Sequence, residues 1–211
     1  MFGNKYIDLT LTIHNEMQGV HIKQASSKAI DGWNATDLHL YSHSGTHMDA
    51  PWHFEVNNQT IDKFSVDRFV VDTWLVDITP EVPGQLIQIA DLSQMMDRIN
   101  PGDGILLKTD WSLKIGTDLY RNALPRVSEE LAHWLGSKKV GLLGVEPPSV
   151  ADVNNLEEVT RIHEILLGND IIIVEGLTNL NAVTKPRIKL IALPLKVLQG
   201  DGAPARVIAI E

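Results

Sequence analysis

The chain has 211 residues, a net charge of −9, a hydrophobic fraction of 44%, a charged fraction of 21% and no cysteine. Such a length can bury a core without staples, and the composition is that of a folded domain rather than a disordered chain. The acidic balance argues against a nucleic-acid or anionic-membrane binder, and the missing cysteines exclude disulfides, thiolate nucleophiles, zinc ribbons and iron–sulfur clusters together.

In chain order, Met1 to Met17 carries no basic segment before a long apolar stretch and does not read as a signal peptide. No apolar run approaches the roughly 18 residues of a membrane span, so a cytoplasmic protein is expected. Tyr6–Ile13 alternates like a half-buried strand. Gln18–Asp37 has little periodicity and predicts a long loop. Val71–Ile78 predicts a strand, residues 79–84 a turn, and Ile89–Ile99 a helix with apolar positions at Leu92, Met95, Met96 and Ile99. Gly104–Lys108 predicts a short strand. Ser128 can cap a helix through Leu135, with Glu129 and Glu130 placed well against its dipole. Val140–Val145 reads as a buried strand, and Leu156–Leu167 as a helix with Gly168 at its cap. Ile171–Val174 is apolar on both faces, hence a central strand. Lys189–Leu198 and Arg206–Ile210 flank Gly200-Asp201-Gly202 as a hairpin. The sum is a mixed α/β or α+β single domain over residues 1–211.

The segment His43-Ser44-Gly45-Thr46-His47-Met48-Asp49-Ala50-Pro51-Trp52-His53 concentrates three of the eight histidines and an aspartate. The four have odd numbers and would share one face of an extended chain. A straight strand would hold His43 and His47 about 13 Å apart, near the limit for two imidazoles on one ion, so the segment must curve. Gly45 and Pro51 allow that and argue against a helix. Ser44 rather than Glu rules out the HExxH helix of zinc proteases. Nitrogen and carboxylate donors without thiolate suit zinc, manganese or iron(II); a polar surface turn is the plainer alternative. Downstream, His163 falls on the apolar stripe of Leu156, Val159, Leu166 and Leu167. Glu175 ends the buried strand, where a carboxylate needs a partner. Spacing does not join this pair to the first cluster, and His163 also reads as a core histidine.

These residues resemble the cyclase-like metal-dependent hydrolases, among them bacterial kynurenine formamidases. The first motif is H-x-G-T-H-x-D-x-P-x-H at His43–His53. The second is His163 followed by Glu175-Gly176-Leu177-Thr178-Asn179-Leu180. Smaller echoes are 106–111, Gly144-Val145-Glu146-Pro147-Pro148-Ser149-Val150, 193–196 and Asp201-Gly202-Ala203-Pro204-Ala205-Arg206. The resemblance implies a swivelling β/β/α-type fold with a mixed central sheet, a homodimer or higher homo-oligomer, and one or two divalent metals per subunit, zinc ahead of manganese. Carried over by position, His43, His47 and Asp49 would hold the first metal. Asp49 would bridge to a second held by His163 and Glu175, and His53 would be the general acid/base.

The resemblance also implies hydrolysis of a small-molecule amide by metal-activated water, with an arylformamidase-type reaction in the lead. Ring-opening hydrolysis of an isatin-type lactam and a polyketide-type cyclase are the enzyme alternatives, and a non-catalytic metal- or ligand-binding module the other class. Glu175 leans towards the two-metal formamidase pattern. Where family formamidases carry a W-P-G-D segment, this chain has Met17-Gln18-Gly19-Val20-His21, so its substrate pocket differs there. Trp52, Trp33, Trp111 and His21 are the expected substrate contacts. His14, His39 and His133 read as surface or core histidines.

Overall fold

The chain was described from a computed structural model covering residues 3–79 and 82–211, so Met1, Phe2, Pro80 and Glu81 lie outside the described residues, and with them parts of the amino-terminal and 79–84 turn expectations. The strands are β1 (Tyr6–Asp8), β2 (Val20–Ser26), β3 (Ala35–Leu40), β4 (His47–Asp49), β5 (Val70–Asp77), β6 (Leu86–Ile87), β7 (Gly104–Lys108), β8 (Arg126–Val127), β9 (Leu142–Val145), β10 (Ile172–Glu175), β11 (Arg187–Pro194) and β12 (Gly202–Ile210). The helices are α1 (Lys28–Asp31), α2 (Asp118–Asn122), α3 (Glu129–Ser137) and α4 (Leu156–Gly168).

An eight-stranded mixed sheet runs β1-β12-β11-β5-β7-β9-β10-β4, and β4 also pairs with β12. The sheet therefore closes into a barrel, with β1 attached to β12, and closure leaves the barrel strands few free edges. β5, β7, β9 and β10 are mutually parallel; the other pairings are antiparallel. β7, β9 and β10 are buried on both faces, which is why they read as nearly unbroken apolar runs, whereas β5 has exposed positions at Val70, Asp72 and Asp77. Leu106, Leu142, Ile172 and Val174 enter the inner cluster with Met48, Leu190 and Val207. Their neighbours Leu107, Leu143 and Ile173 enter a second cluster with Leu131, Leu135, Ile162 and Leu166 of α3 and α4. The period of two thus divides one strand between two cores.

Several expectations need correction. Gln18–Asp37 is not a loop: most of it belongs to an antiparallel hairpin, β2 on β3, with Val20 opposite Leu40 and Ile22 opposite Leu38. These cross-strand apolar pairs set its register, a signal hidden when each strand is read alone. Ile89–Ile99 forms a 3₁₀ turn at Ile89–Leu92 followed by further turns. Leu92 and Met95 are buried from it, too little apolar surface to hold so short a helix. The first strand ends at Asp8, with only a bridge from Thr10 to Leu177 beyond it. Leu156 opens α4 but is 79% exposed, so the buried stripe starts later. The Ser128 cap stands: its Oγ accepts the Leu131 N–H at 3.1 Å. Among the described residues no helix is long and apolar enough to cross a membrane.

Candidate metal centre

β4 lies between β10 and β12, and its three residues are all buried. Met48 points into the barrel. Alternation therefore turns His47 and Asp49 to the outer face, towards α4. The β10–β4 register sets Glu175 opposite His47, which joins the two motifs that spacing left apart. Gly176 follows with φ +67, and a Cβ there would stand 2.4 Å from the Gly45 carbonyl oxygen. That position demands glycine, and the close approach is locked by Thr46, whose hydroxyl donates to the Gly176 carbonyl at 2.6 Å. The turn echoing G-x-D-x-P-S anchors the same strand end. The Val150 N–H donates to Glu175 Oε1 at 2.7 Å, and the Gly176 N–H to the Pro147 carbonyl at 2.9 Å.

His43 reaches the cluster from the turn after β3 rather than from a strand. Gly45, at φ +62, makes the expected bend, and the His43 and His47 rings come to 5.1 Å between centroids. His163 comes from the buried side of α4. Its Nδ1 donates to the Val159 carbonyl at 2.6 Å, leaving Nε2 3.4 Å from Glu175 Oε1 and 3.6 Å from Asp49 Oδ2. His47 Nδ1 likewise faces the Gly45 carbonyl at 3.0 Å, and its Nε2 stands 3.2 Å from Glu175 Oε2. Asp49 Oδ1 is 2.8 Å from His43 Nδ1 and 3.6 Å from His47 Nε2. Asp49 Oδ2 is buried and has no hydrogen-bond partner among the described residues. Buried polar atoms are normally satisfied, so this orphaned oxygen, aimed at His163, could serve as a ligand to a cation.

The ligand atoms converge as two sets, His43-His47-Asp49 and Asp49-His163-Glu175, each within 4.8 Å. Imidazole nitrogens and carboxylate oxygens without sulfur fit a borderline divalent cation, and a carboxylate common to both sets fits a pair of them. The electrostatics agree. Burial alone would lower the His43 pKa, but hydrogen bonds to Asp201 and Asp49 raise it to about 10. His47 and His163 are also raised despite burial, chiefly by Glu175. Burial pushes Asp49 and Glu175 up, and the facing histidines hold both below the usual carboxylate range. The three histidines are thus shifted towards their protonated forms by the carboxylates they face.

His53 lies on the 3₁₀ turn Pro51–Phe54. It belongs to neither of those two sets. Its ring stacks on His43 at 3.9 Å, its Nδ1 is 3.4 Å from Asp201 Oδ2, and burial lowers its pKa. His43, His53 and Asp201 form a third cluster at the rim. Sequence reasoning missed Asp201, although it stands in a quoted motif, because an Asp-Gly pair also reads as a hairpin turn.

The centre opens on a cavity of about 500 Å³ lined by Phe54, Tyr41, Tyr120, Ile115, Val159 and Arg121 among others, within the usual size of a small-molecule site. Met17 and Gln18 line it, and so does His14, which the sequence reading left outside the site. Trp52, Trp33, Trp111 and His21 do not line it in this chain. Trp111 is fully buried with its indole N–H donating to the Tyr120 carbonyl. Trp52 is 40% and Trp33 63% exposed, and His21 packs on His39 in the β2–β3 hairpin. Tyr120 sits over Glu146: its hydroxyl donates to the Glu146 carbonyl, while the buried Glu146 carboxylate accepts from Thr109 and Ser112.

A family model described as "Putative cyclase" matches residues 7–152. The kynurenine formamidase of Salinibacter ruber is 32% identical over 180 residues, 83% of this chain and 79% of the relative. Among solved structures, isatin hydrolase A from Ralstonia solanacearum matches with a TM-score of 0.85 and 26% identity over 98% of this chain and 92% of that one. A potential metal-dependent hydrolase with cyclase activity matches with a TM-score of 0.79 and 26% identity over 99% and 98%.

Proposed function

The chain belongs to the cyclase family, and from that premise we propose that it hydrolyses the amide bond of N-formyl aryl amines. In the coarser sense it is a metal-dependent hydrolase of carbon–nitrogen bonds other than peptide bonds. The formyl substrate is supported by the 32% identity to a kynurenine formamidase; the observation that carries the two-ion centre is the shared carboxylate of Asp49, one oxygen towards His43 and His47, the other unpartnered and towards His163. We assign His43, His47 and Asp49 to one divalent ion, and Asp49, His163 and Glu175 to a second, with zinc preferred and manganese next.

Bound there, such an ion supplies Lewis acidity, polarising a carbonyl and lowering the pKa of water towards about 7. The chain's own groups do the rest. His53, kept neutral at pH 7 by its depressed pKa, takes a proton from water as the C–O bond forms. It returns that proton to the leaving nitrogen as the C–N bond breaks, which gives a carboxylic acid and a free amine. Phe54, Tyr41, Ile115 and Val159 offer apolar surface to an aryl ring, and their walls keep bulk water from the reacting carbonyl.

The likeness to isatin hydrolase A supports a second reading, ring-opening of a cyclic aryl amide. The two are separated by loading the protein with zinc or manganese and measuring hydrolysis of N-formyl aryl amines, isatin and simple lactams. The highest kcat/KM is expected on the formyl amines. A higher value on isatin would transfer the assignment to ring-opening, and no turnover on any of them would sink both.

A homodimer is part of the same proposal. Its support is the β2–β3 hairpin, where Ile30, Trp33 and Leu38 are 87%, 63% and 63% exposed on an element that two strands alone hold weakly.

A further inference from the structure

Each histidine of the metal centre has two ring nitrogens, and only one can face an ion. In His47 and His163 the other is committed to a backbone carbonyl, Gly45 and Val159 respectively. A carbonyl can only accept, so both rings carry hydrogen on Nδ1 and present Nε2 to the carboxylates. His43 is turned the other way. Its Nδ1 faces Asp49 Oδ1 at 2.8 Å, so Nε2 must be the nitrogen held from behind. No carbonyl does this; the acceptor is Asp201 Oδ2, at 2.8 Å.

We propose that Asp201 is the positioning residue of this centre. It fixes His43 in the Nε2–H tautomer, so that the Nδ1 lone pair is directed at the first metal position. The proposal rests on the metal assignment above, and concerns a residue outside both ligand sets.

The local structure is built for this contact. The Ala50 N–H donates to the Asp201 carbonyl at 2.9 Å, and the β12–β4 register sets Gly202 opposite Asp49, which pins the Asp201 backbone beside the centre. A Cβ at Gly202 would stand 2.8 Å from His43 Cε1, so the glycine leaves room for the ring. Ser42 Oγ donates to the same Asp201 oxygen at 3.4 Å, and His53 Nδ1 faces it at 3.4 Å. The carboxylate is 38% exposed, so it stays hydrated and ionised beside a ring that is almost fully buried. An anionic acceptor raises the basicity of the opposite ring nitrogen more than a neutral carbonyl does, which strengthens it as a ligand. The two enclosed histidines make do with carbonyls; the one at the rim, with water at hand to compete, has the charged acceptor.

The test is a zinc titration of the metal-free full chain against a chromophoric chelator, with the fold checked by circular dichroism. It needs no substrate, so a failed substrate assignment does not affect it. Asp201→Ala is expected to weaken one zinc site by about 10–100-fold and leave the other unchanged. Asp201→Asn, whose amide oxygen still accepts the Nε2 hydrogen, should recover a large part of that loss. Affinities within about twofold of wild type for Asp201→Ala, against the tenfold or more that outer partners command, would overturn the proposal. So would equal losses in the two variants, because the tautomer would then not be what matters. A zinc-soaked crystal with an Asp201 oxygen at about 2.0–2.2 Å from the ion would make it a ligand instead. Wild-type protein that binds no zinc would overturn the metal assignment together with this one.

Discussion

Residues 20–40 and β4 are near neighbours in the chain and opposites in structure. Beyond Val20, no side chain of the β2–β3 hairpin is buried, and its strands pair only with each other. All three residues of β4 are buried, and β4 has a partner on both sides. In β4 the register with β10 and β12 over-determines where His47 and Asp49 point, so the centre is held before any ion arrives. The hairpin has no comparable support within one chain, and a lone two-stranded hairpin is marginal in water. The contrast predicts a division of effects. Changes at the centre should alter metal and chemistry without altering assembly, and changes in the hairpin should do the reverse.

The largest effect is expected at Asp49. Asp49→Ala removes the carboxylate common to both ligand sets and leaves buried histidines facing one another. Both metal positions should empty and hydrolysis fall to background, as elemental analysis and an activity assay would show. Breaking a buried charge cluster should also cost the metal-free fold about 3–5 kcal/mol. A full metal complement in this variant would remove the bridging role and with it the claim that β4 organises the site.

His53 lies one turn beyond β4 and tests how far the rigid region extends. His53→Ala should keep its metal and lose about 10²–10⁴-fold in kcat, the usual contribution of a positioned acid–base group. Metal lost along with activity would make His53 a ligand, in the third cluster with His43 and Asp201.

The same contrast explains what the chain disclosed as a sequence. The central strands were legible because burial on two faces forces apolar runs, and the His43–His53 cluster stood out because three histidines and an aspartate fall within eleven residues. Glu175 and His163 could be tied to the first cluster only through a family resemblance. The link that does it physically is a strand register, Glu175 opposite His47, and register is a long-range property. Asp201 escaped for the same reason: it reaches His43 across 158 residues of chain. The hairpin was missed because its apolar pairs, Val20 with Leu40 and Ile22 with Leu38, lie on different strands. The aromatic residues offered for substrate contact lie outside the cavity lining of the single chain. Trp111 is core, and only its surroundings distinguish a packed indole from a binding one.

A pH series sharpens the account of the centre. The folded-state pKa of His43 is raised from 6.5 to about 10 by its carboxylate partners. Its contribution to metal-free stability is therefore fully present below 6.5 and is lost as pH rises towards 10. Metal binding runs the other way, because each histidine must give up its proton. The stabilisation by zinc, the difference in unfolding free energy between zinc-loaded and metal-free protein, should widen across this window by up to about 1.4 kcal/mol per displaced proton per pH unit, and the gap in Tm should widen with it. A gap that stays constant or narrows would mean that the buried imidazoles are neutral without metal.

The smallest effect on the fold, and the sharpest test of the division, is Trp33→Ser in the hairpin. An exposed substitution of this kind should change the stability of an isolated chain by less than about 0.5 kcal/mol. If the hairpin is covered by a second copy, however, an exposed tryptophan belongs to the residues that dominate such contacts. Sedimentation should then show dissociation towards monomer at concentrations where the wild type is paired. Zinc content should remain that of the wild type, since no residue of the hairpin belongs to the ligand sets. Activity is free to fall, because the hairpin returns to the body through Tyr41, which lines the cavity. An unchanged sedimentation coefficient would leave the hairpin without a partner copy, and a loss of zinc would show that hairpin and centre are one unit after all.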